Sequence, residues 1–225
     1  MFIITGAGSG IGKLLFNHFE KGDDTYGATH STSIDDPRFS KLDVKNYAEV
    51  EKWKNSLPPE KIKKLVVINC AGVSYNAFTH KADVESWQNV INTNLIGTFN
   101  VIRAFLPHMR ESNYGRIINI GSVVAQKGVP GTSAYAASKA ALWGLAKAIA
   151  VENASKGITI NNINLGYSDI GMGLTQISAP QKQDLLGKIP AGRFGSPQEI
   201  ISTVDYLIGT EYVNGTSIDL NGAFI

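Results

Sequence analysis

The sequence predicts an α/β fold, a doubly wound parallel β-sheet of about seven strands with helices on both faces. Two observations lead to this prediction. Short apolar runs alternate with longer segments of helical periodicity, and some runs, such as residues 65–68 and 117–120, are apolar throughout, as in strands buried on both faces. The alternation continues along all 225 residues with no repeat, linker or low-complexity tract. We therefore expect one domain over residues 1–225.

The expected elements follow from these patterns in chain order. Strands are expected at residues 2–4, 25–29, 41–44, 65–69, 116–120, 158–163 and 217–220. Helices are expected at residues 11–20, 47–56, 84–109, 134–155 and 197–208. The interval before the third strand carries Pro37 and no helical periodicity, so we expect at most one helical turn there. Residues 167–189 are expected to form an irregular, partly apolar lid that includes Met172, Leu174, Ile177 and Pro180.

Composition and charge narrow the class of function. Hydrophobic residues make up 43% of the chain and charged residues 18%, which excludes wholesale disorder. A net charge of +2 and the lack of any run of five like charges argue against a nucleic acid or an acidic membrane as the main partner. The single cysteine, Cys70, excludes a disulfide framework, and the four histidines lack metal-ligand spacing. No signal peptide or transmembrane stretch is recognisable, so we expect a cytoplasmic protein without a metal site.

A glycine-rich loop follows the first strand and opens the first helix. Residues 5–12 read Thr-Gly-Ala-Gly-Ser-Gly-Ile-Gly. Glycines at such a junction let the backbone approach a pyrophosphate, while the helix N-terminus offers unpaired N–H groups. The spacing is G-x-x-x-G-x-G, and no Gly-Lys-Ser/Thr ends the loop as in a P-loop. The candidate cofactor-binding residues here are Gly6, Ser9, Gly10, Ile11 and Gly12.

A hydroxyl, a phenol and an amine are expected at one edge of the sheet. Tyr135 and Lys139 stand four residues apart in an Ala-rich helical segment, so they share a helix face. Ser122 follows a strand and precedes Tyr135 by thirteen residues. Ligands of open parallel sheets bind where strands end, so these three side chains and the glycine loop should converge there.

With these motifs the chain resembles the short-chain dehydrogenase/reductase family over essentially its whole length. The glycine loop resembles the T-G-x-x-x-G-x-G cofactor motif, and residues 189–200 look like a stretch of 3-oxoacyl-carrier-protein reductases. Ser122, Tyr135 and Lys139 fall at the catalytic positions, and Asn94 resembles the family's helix asparagine. The resemblance implies a Rossmann-like sheet that binds a nicotinamide cofactor.

Further matches extend the implied cofactor site, which also includes Tyr135 and Lys139. Asp43-Val44 resembles the pair that contacts adenine, and residues 69–72 resemble the N-N-A-G motif. The remaining candidate cofactor-binding residues are Asn69, Ala71, Gly72 and Gly166. Three positions depart from the family pattern: Cys70 replaces the second Asn, Leu165 replaces Pro, and Ile170 replaces Thr.

The predicted activity is hydride transfer between NAD(P)(H) and a ketone or secondary alcohol. Unperturbed tyrosine has a pKa of about 10, and the ammonium of Lys139 together with the positive charge of an oxidised nicotinamide should lower the pKa of Tyr135. Tyr135 would then exchange the proton, Ser122 would hydrogen-bond the substrate oxygen, and Lys139 would tune Tyr135 and hold the nicotinamide ribose. By resemblance, Asn94 anchors a water that relays protons from Lys139.

Two other functions are compatible with a similar fold. A non-catalytic nucleotide sensor or scaffold does not need Ser122, Tyr135 and Lys139 together. An epimerase or dehydratase would need a larger substrate domain than the residues after Lys139 supply. Val124 and Val129, with the apolar lid, favour a hydrophobic carbonyl or alcohol substrate.

We expect NADP(H) in preference to NAD(H). Residues 28–32 end the second strand without the acid that binds the ribose 2′-hydroxyl of NAD in related folds. The side chains of His30, Ser31 and Thr32 can instead donate to a 2′-phosphate. The nearby cations are Lys13, Arg38 and Lys41.

The resemblance also implies a homodimer that pairs through the two long helices at residues 84–109 and 134–155, or a homotetramer that also uses the C-terminal strand. The second of these carries Leu142, Trp143, Leu145 and Ile149, more apolar surface than one sheet face needs.

Overall fold

A computed structural model describes residues 1–171 and 178–225, and these form a seven-stranded parallel sheet. The strands are β1 (Phe2–Thr5), β2 (Thr25–Thr29), β3 (Phe39–Lys41), β4 (Leu65–Asn69), β5 (Gly115–Ile120), β6 (Ile158–Leu165) and β7 (Ser217–Leu220). Their order across the sheet is β3-β2-β1-β4-β5-β6-β7. The winding therefore reverses between β1 and β4, and the carboxyl edge at such a point is where open α/β sheets bind ligands.

Helices cover both faces of this sheet, as predicted. They are α1 (Gly10–Phe19), α2 (Tyr47–Ser56), α3 (Val84–Ile91), α4 (Gly97–Ser112), α5 (Ser133–Asn153), α6 (Ala179–Lys188) and α7 (Pro197–Gly209). One apolar cluster fills the space under α2, α4 and α5, and a second fills the space under α1 and α7. None of the helices in the described ranges is long and apolar enough to cross a membrane.

The third strand lies two residues earlier than predicted. It begins at Phe39, whose ring packs 4.2 Å from the ring of Phe16, and residues 42–44, expected in the strand, lie beyond its end. The prediction of at most one helical turn before it is confirmed, because residues 30–38 contain no helix. The guanidinium of Arg38 lies 5.2 Å from the Phe16 ring centroid and covers part of this face instead.

The single helix expected at residues 84–109 is instead two helices joined by a π-helical turn. This turn spans Asn92–Ile96, and α4 then continues to Ser112, where Asn113 adopts left-handed φ of 50°. A π-turn adds one residue to a helical turn and is common at functional sites. Amphipathic periodicity continues through it, so the sequence does not reveal it.

Part of the region expected to be an irregular lid is helical. Residues 179–188 form α6, with Pro180 in its first turn and a capping box between Ser178 and Gln181. None of its residues is buried, so it has no apolar stripe that a periodicity analysis could detect. Met172, Leu174 and Ile177 lie outside the described residues.

The four apolar side chains of α5 named above divide into two pairs. Leu142 and Ile149 are buried in the core and hold α5 on the sheet. Leu145 packs against that core, and the indole N–H of Trp143 donates to Asn164 Oδ1 at 3.1 Å. Leu145 and Trp143 are only half-buried, so part of their apolar surface stays exposed.

Candidate active site

The loop between β1 and α1 has the backbone shape of an anion-binding turn. Gly6 and Gly10 have φ of 65° and 51°, a left-handed conformation that favours glycine. A Cβ on Gly12 would lie 2.3 Å from the Gly6 carbonyl oxygen, so only glycine lets α1 pack this closely. Within the described chain, α1 starts without a side-chain cap or an acid in its first turn. Its first N–H groups and positive dipole end therefore suit a phosphate.

The turn after β4 connects this loop to the catalytic side. The Thr5 hydroxyl accepts hydrogen bonds from the backbone N–H groups of Cys70 at 3.2 Å and Ala71 at 3.1 Å. A Cβ on Gly72 would lie 3.3 Å from Asn94 Oδ1 and 3.6 Å from Lys139 Nζ. Residues 69–72 thus pass from the glycine loop to Lys139 and connect two groups of candidate cofactor-binding residues.

The structure brings Ser122, Tyr135 and Lys139 together at the carboxyl end of β5. Ser122 is buried directly after that strand, and its hydroxyl accepts a hydrogen bond from the Val124 N–H at 3.2 Å. Lys139 Nζ lies 5.6 Å from the centroid of the half-buried Tyr135 ring. The ammonium donates to the Ile120 carbonyl oxygen at 2.7 Å. A phenol, a hydroxyl and an amine therefore share one end of the sheet.

Burial changes the proton affinities of this group. It raises the pKa of Tyr135, and a hydrogen bond with Ser122 partly opposes the rise. It lowers the pKa of Lys139 to about 8. The expected lowering of the Tyr135 pKa involves the charge of an oxidised nicotinamide as well as that of Lys139, and in the protein alone burial outweighs the other influences on this pKa. Burial also raises the pKa of the Cys70 thiol to about 12, which keeps it neutral.

Asn94 lies in the π-turn and links three elements. Its Oδ1 accepts from the Val73 N–H at 2.8 Å, and its Nδ2 donates to the Val73 carbonyl at 2.9 Å and to Ser138 Oγ at 3.0 Å. Ser138 Oγ in turn donates to the Tyr135 carbonyl at 2.8 Å. The sequence analysis missed Ser138, although its position immediately before Lys139 was an available signal. Asn94 thus holds the backbone that carries Tyr135.

Asn69 belongs to a ladder of buried amides across the sheet. Its Nδ2 donates to Asn119 Oδ1 at 2.9 Å, Asn119 Nδ2 donates to Asn162 Oδ1 at 3.0 Å, and Asn162 Nδ2 donates to Ser217 Oγ at 3.0 Å. The strand register sets these four residues side by side on β4, β5, β6 and β7. The ladder ties Asn69 to the strands behind the site.

The predicted adenine end lies where β2 and β3 finish. His30 Nε2 is exposed and lies 3.8 Å from Asp43 Oδ2, and Ser31 is exposed beside it. Val44 is buried, and its carbonyl accepts from Asn100 Nδ2 at 2.9 Å. The strand tip itself carries no acid, but Asp43 brings a carboxylate next to His30.

Of the cations expected near this end, Arg38 is engaged elsewhere. Its guanidinium donates to Asp36 at 2.6 Å and lies 2.9 Å from a Glu20 oxygen. Lys13 and Lys41 are exposed. These two lysines, with His30, are the cations that remain for a 2′-phosphate among the candidates from the sequence.

The segment after β6 returns over the glycine loop. The Gly166 N–H donates to the Leu220 carbonyl at 2.9 Å, and Ser168 pairs with Gly195 in an isolated bridge. A Cβ on Gly10 would lie 3.4 Å from the Gly171 Cα. The two departures in this segment are accommodated by packing, since Leu165 is buried and Ile170 packs against the same core.

Together these residues fit a dinucleotide cofactor. The glycine turn leaves room that side chains would fill, α1 offers its N-terminus, and Lys139 presents a buried amine near Gly72. Within residues 1–171 and 178–225, no group of three or more His, Cys, Asp or Glu side chains could hold a metal ion.

Comparisons with known proteins agree on one family. A family model described as short chain dehydrogenase matches residues 1–181. An acetoacetyl-CoA reductase of Shinella zoogloeoides is 41% identical over 162 residues, which cover 70% of this chain and 66% of that protein, just under two thirds. A 3-oxoacyl-acyl-carrier-protein reductase of Vibrio cholerae is 32% identical over 232 residues, 98% of this chain and 95% of that protein.

Solved structures show the same architecture. A ligand-free aldohexose dehydrogenase of Thermoplasma acidophilum superposes with a TM-score of 0.88 at 25% identity, covering 99% of this chain and 92% of that one. A putative gluconate dehydrogenase of Agrobacterium tumefaciens superposes with a TM-score of 0.89 at 26% identity, covering 100% of this chain and 95% of that one.

Proposed function

This chain is an NAD(P)-dependent oxidoreductase of the short-chain dehydrogenase family, and from that premise we propose that Tyr135 is its acid–base group. The observation that carries the proposal is the grouping of Ser122, Tyr135 and Lys139 at the end of β5, with the glycine turn at the same edge of the sheet. The same grouping argues against a sensor or scaffold, which would not need all three side chains.

Each side chain has a separate task in the proposed mechanism. A nicotinamide cofactor would supply or accept the hydride. The glycine turn and the N-terminus of α1 would bind its diphosphate, and Lys139 would hold its nicotinamide ribose. Ser122 hydrogen-bonds the carbonyl oxygen of the substrate, and Tyr135 gives that oxygen its proton during reduction. Asn94 keeps the Tyr135 backbone in place through Ser138. By the family resemblance, Asn94 would also anchor a water that returns the proton through Lys139.

We propose a hydrophobic ketone as substrate, with short 3-oxoacyl thioesters as the first compounds to test. Two of the relatives are named for reduction of such thioesters. Val124 and Tyr167, both half-buried and apolar in large part, follow Ser122 and Gly166 in the chain. A buried apolar surface beside the reacting oxygen favours an aliphatic substituent.

A turnover assay tests this function directly. Oxidation of NADPH and NADH is followed with acetoacetyl-CoA, simple ketones, aldehydes and aldoses. We expect turnover with at least the thioester, and none with a Ser122→Ala, Tyr135→Phe double variant. A wild-type protein that binds the cofactor but reduces none of these compounds would contradict the proposal.

We propose NADP(H) as the preferred cofactor. The tip of β2 carries no acid, and exposed His30 and Ser31 lie where they can donate to a 2′-phosphate. We expect NADPH to bind at least tenfold more tightly than NADH, about 1.4 kcal/mol. His30→Ala should reduce this ratio, and Ser33→Ala, at another exposed position in the same loop, should not. Tighter binding of NADH would show that Asp43 acts as the ribose-binding acid.

We propose that the protein acts in the cytoplasm as a homodimer or homotetramer of one-domain chains. One sheet contains every described strand, which supports a single domain over residues 1–225. Ile96 at the end of the π-turn and Phe99 in the first turn of α4 are 42% and 45% exposed, and Val151 on α5 is 86% exposed. Such apolar exposure on the two helices suits self-association. Light scattering that shows a monomer at micromolar concentration would contradict this proposal.

A further inference from the structure

A third apolar cluster stands apart from the two clusters that pack under the helices. We call it the apolar wall, and its members are Val123, Val124, Tyr167, Ile189, Phe194 and Phe224. They come from the segments that follow β5, β6, α6 and β7. Because strands of a parallel sheet end at one edge, the apolar wall lies at the carboxyl edge, where the candidate active site is.

The apolar wall borders the catalytic residues directly. Val123 follows Ser122 in the chain, and the Val124 N–H donates to the Ser122 hydroxyl at 3.2 Å. Val124, Tyr167 and Phe194 are only half-buried, whereas the other members are buried. Part of the apolar surface next to the Ser122 hydroxyl therefore remains exposed and can contact a substrate.

Phe224 is held in this wall by contacts from several segments. It is 6% exposed, and its ring lies 4.0 Å from Lys127 Nζ and 5.6 Å from the centroid of the Tyr167 ring. Lys127 stands on the loop that follows Ser122. Cation–π and edge-to-face aromatic contacts of this kind stabilise one position of the ring.

The backbone before Phe224 is strained in order to place it there. Gly222 and Ala223 are both left-handed, with φ of 61° and 67°, and this conformation is unfavourable for alanine. The Ala191 N–H donates to the Gly222 carbonyl at 3.1 Å, and the Ala223 N–H donates to Asn221 Oδ1 at 2.9 Å. Strain that the surroundings maintain is concentrated at functional sites.

We propose that Phe224 is a specificity-determining residue that limits how far an unbranched chain can extend beyond the reacting carbonyl. This inference rests on the proposed function, since it assigns a role within the same substrate pocket. Phe224 is buried and packs against the half-buried Tyr167 of the same wall, and Lys127 and Tyr167 keep its ring in place. A smaller side chain would open space for longer substrates.

The test compares substrates of increasing length in matched variants. The kcat/KM of wild type, Phe224→Ala and Phe224→Leu is measured with 3-oxoacyl thioesters from acetoacetyl-CoA to long unbranched acyl chains. We expect the ratio of long-chain to short-chain kcat/KM to rise at least about tenfold in Phe224→Ala, the effect of one or more methylenes in an apolar pocket. Phe224→Leu keeps an apolar side chain of smaller size and should change the ratio in the same direction.

Tyr212→Ala is the control, because Tyr212 is a fully exposed aromatic residue in the loop that leads into β7, at the opposite edge of the sheet. It should leave the length ratio unchanged. Equal losses for all chain lengths in Phe224→Ala and Phe224→Leu would show a purely structural role and overturn the inference alone. Failure of wild type to reduce any carbonyl compound would overturn the proposed function and this inference with it.

Discussion

Two regions adjoin at the end of β5: the apolar wall and the proposed catalytic group, which comprises Ser122, Tyr135, Lys139 and Asn94. Different forces hold the side chains of each region in place. Lys139 and Asn94 are fixed by directional hydrogen bonds, such as the 2.7 Å contact from Lys139 Nζ to the Ile120 carbonyl. Phe224 and Tyr167 are positioned by ring and methyl contacts, with centroids 5.6 Å apart. A buried hydrogen bond needs a specific geometry, and a buried polar group left without its partner costs free energy of folding. Apolar packing, in contrast, tolerates other apolar side chains of similar volume.

This difference indicates which property each region controls. Acid–base transfer needs atoms at hydrogen-bond distance from a reacting oxygen, so changes in the catalytic group should alter the rate for every substrate. An apolar wall contributes shape, so its changes should alter which substrates react. The following predictions test that separation.

The largest effect should come from Tyr135→Phe. Removal of the phenol hydroxyl eliminates the proton donor, so kcat should fall by roughly 10²–10⁴ for every substrate. The Kd of the cofactor should stay within about threefold of wild type, because a threefold change is only about 0.6 kcal/mol. Steady-state kinetics and a fluorescence titration measure the two quantities. A Tyr135→Phe variant that keeps a tenth of wild-type kcat would contradict the assignment of Tyr135 as the acid–base group.

Asn94→Ala should destabilise the protein by about 3 kcal/mol. The substitution removes three hydrogen bonds and leaves the Val73 backbone groups without their partner in a buried site. Urea unfolding measures the change in the free energy of unfolding. Asn92→Ala, an exposed asparagine of the same π-turn, is the matched control and should change it by less than about 0.5 kcal/mol. An equal change in the free energy of unfolding in both variants would contradict the proposed structural role of the Asn94 hydrogen bonds.

The pKa of Lys139 predicts a pH dependence of stability. Burial lowers this pKa from 10.5 to about 8, so between these pH values the unfolded chain binds more protons than the folded one. Stability from this group therefore increases as pH rises through the window and is lost as pH falls through about 8, by at most about 3 kcal/mol. Urea unfolding of wild type and Lys139→Met at several pH values isolates the contribution. If the difference in unfolding free energy between wild type and Lys139→Met stayed constant from pH 7 to pH 10, the lowered pKa of Lys139 would be contradicted.

The smallest effect on stability should come from the apolar wall. Phe194→Leu replaces one half-buried apolar side chain by another and should cost less than about 1.5 kcal/mol of unfolding free energy. The kcat for the preferred substrate should remain close to wild type while the order of preference among substrates changes. Loss of turnover with every substrate would break the distinction between the two regions.

The sequence alone determined those features that depend on local spacing. The alternation of apolar runs with helical segments predicted the parallel sheet, because each strand and helix shows its own periodicity. The glycine loop and the four-residue spacing of Tyr135 and Lys139 are equally local. The family resemblance placed Ser122 and Asn94 at sites where the structure indeed brings them near Tyr135 and Lys139.

Only the tertiary structure decided the features that depend on contacts between distant segments. The amide ladder requires the register of four strands, and the apolar wall joins residues from 123 to 224. The sequence makes Arg38 a candidate phosphate ligand, but in the folded chain its guanidinium contacts Asp36 and Glu20 instead. Periodicity reports which face of one element is apolar, but long-range packing selects the partner of each side chain. In this protein the reacting groups therefore belong to recognisable motifs, while the residues that shape the proposed substrate pocket do not.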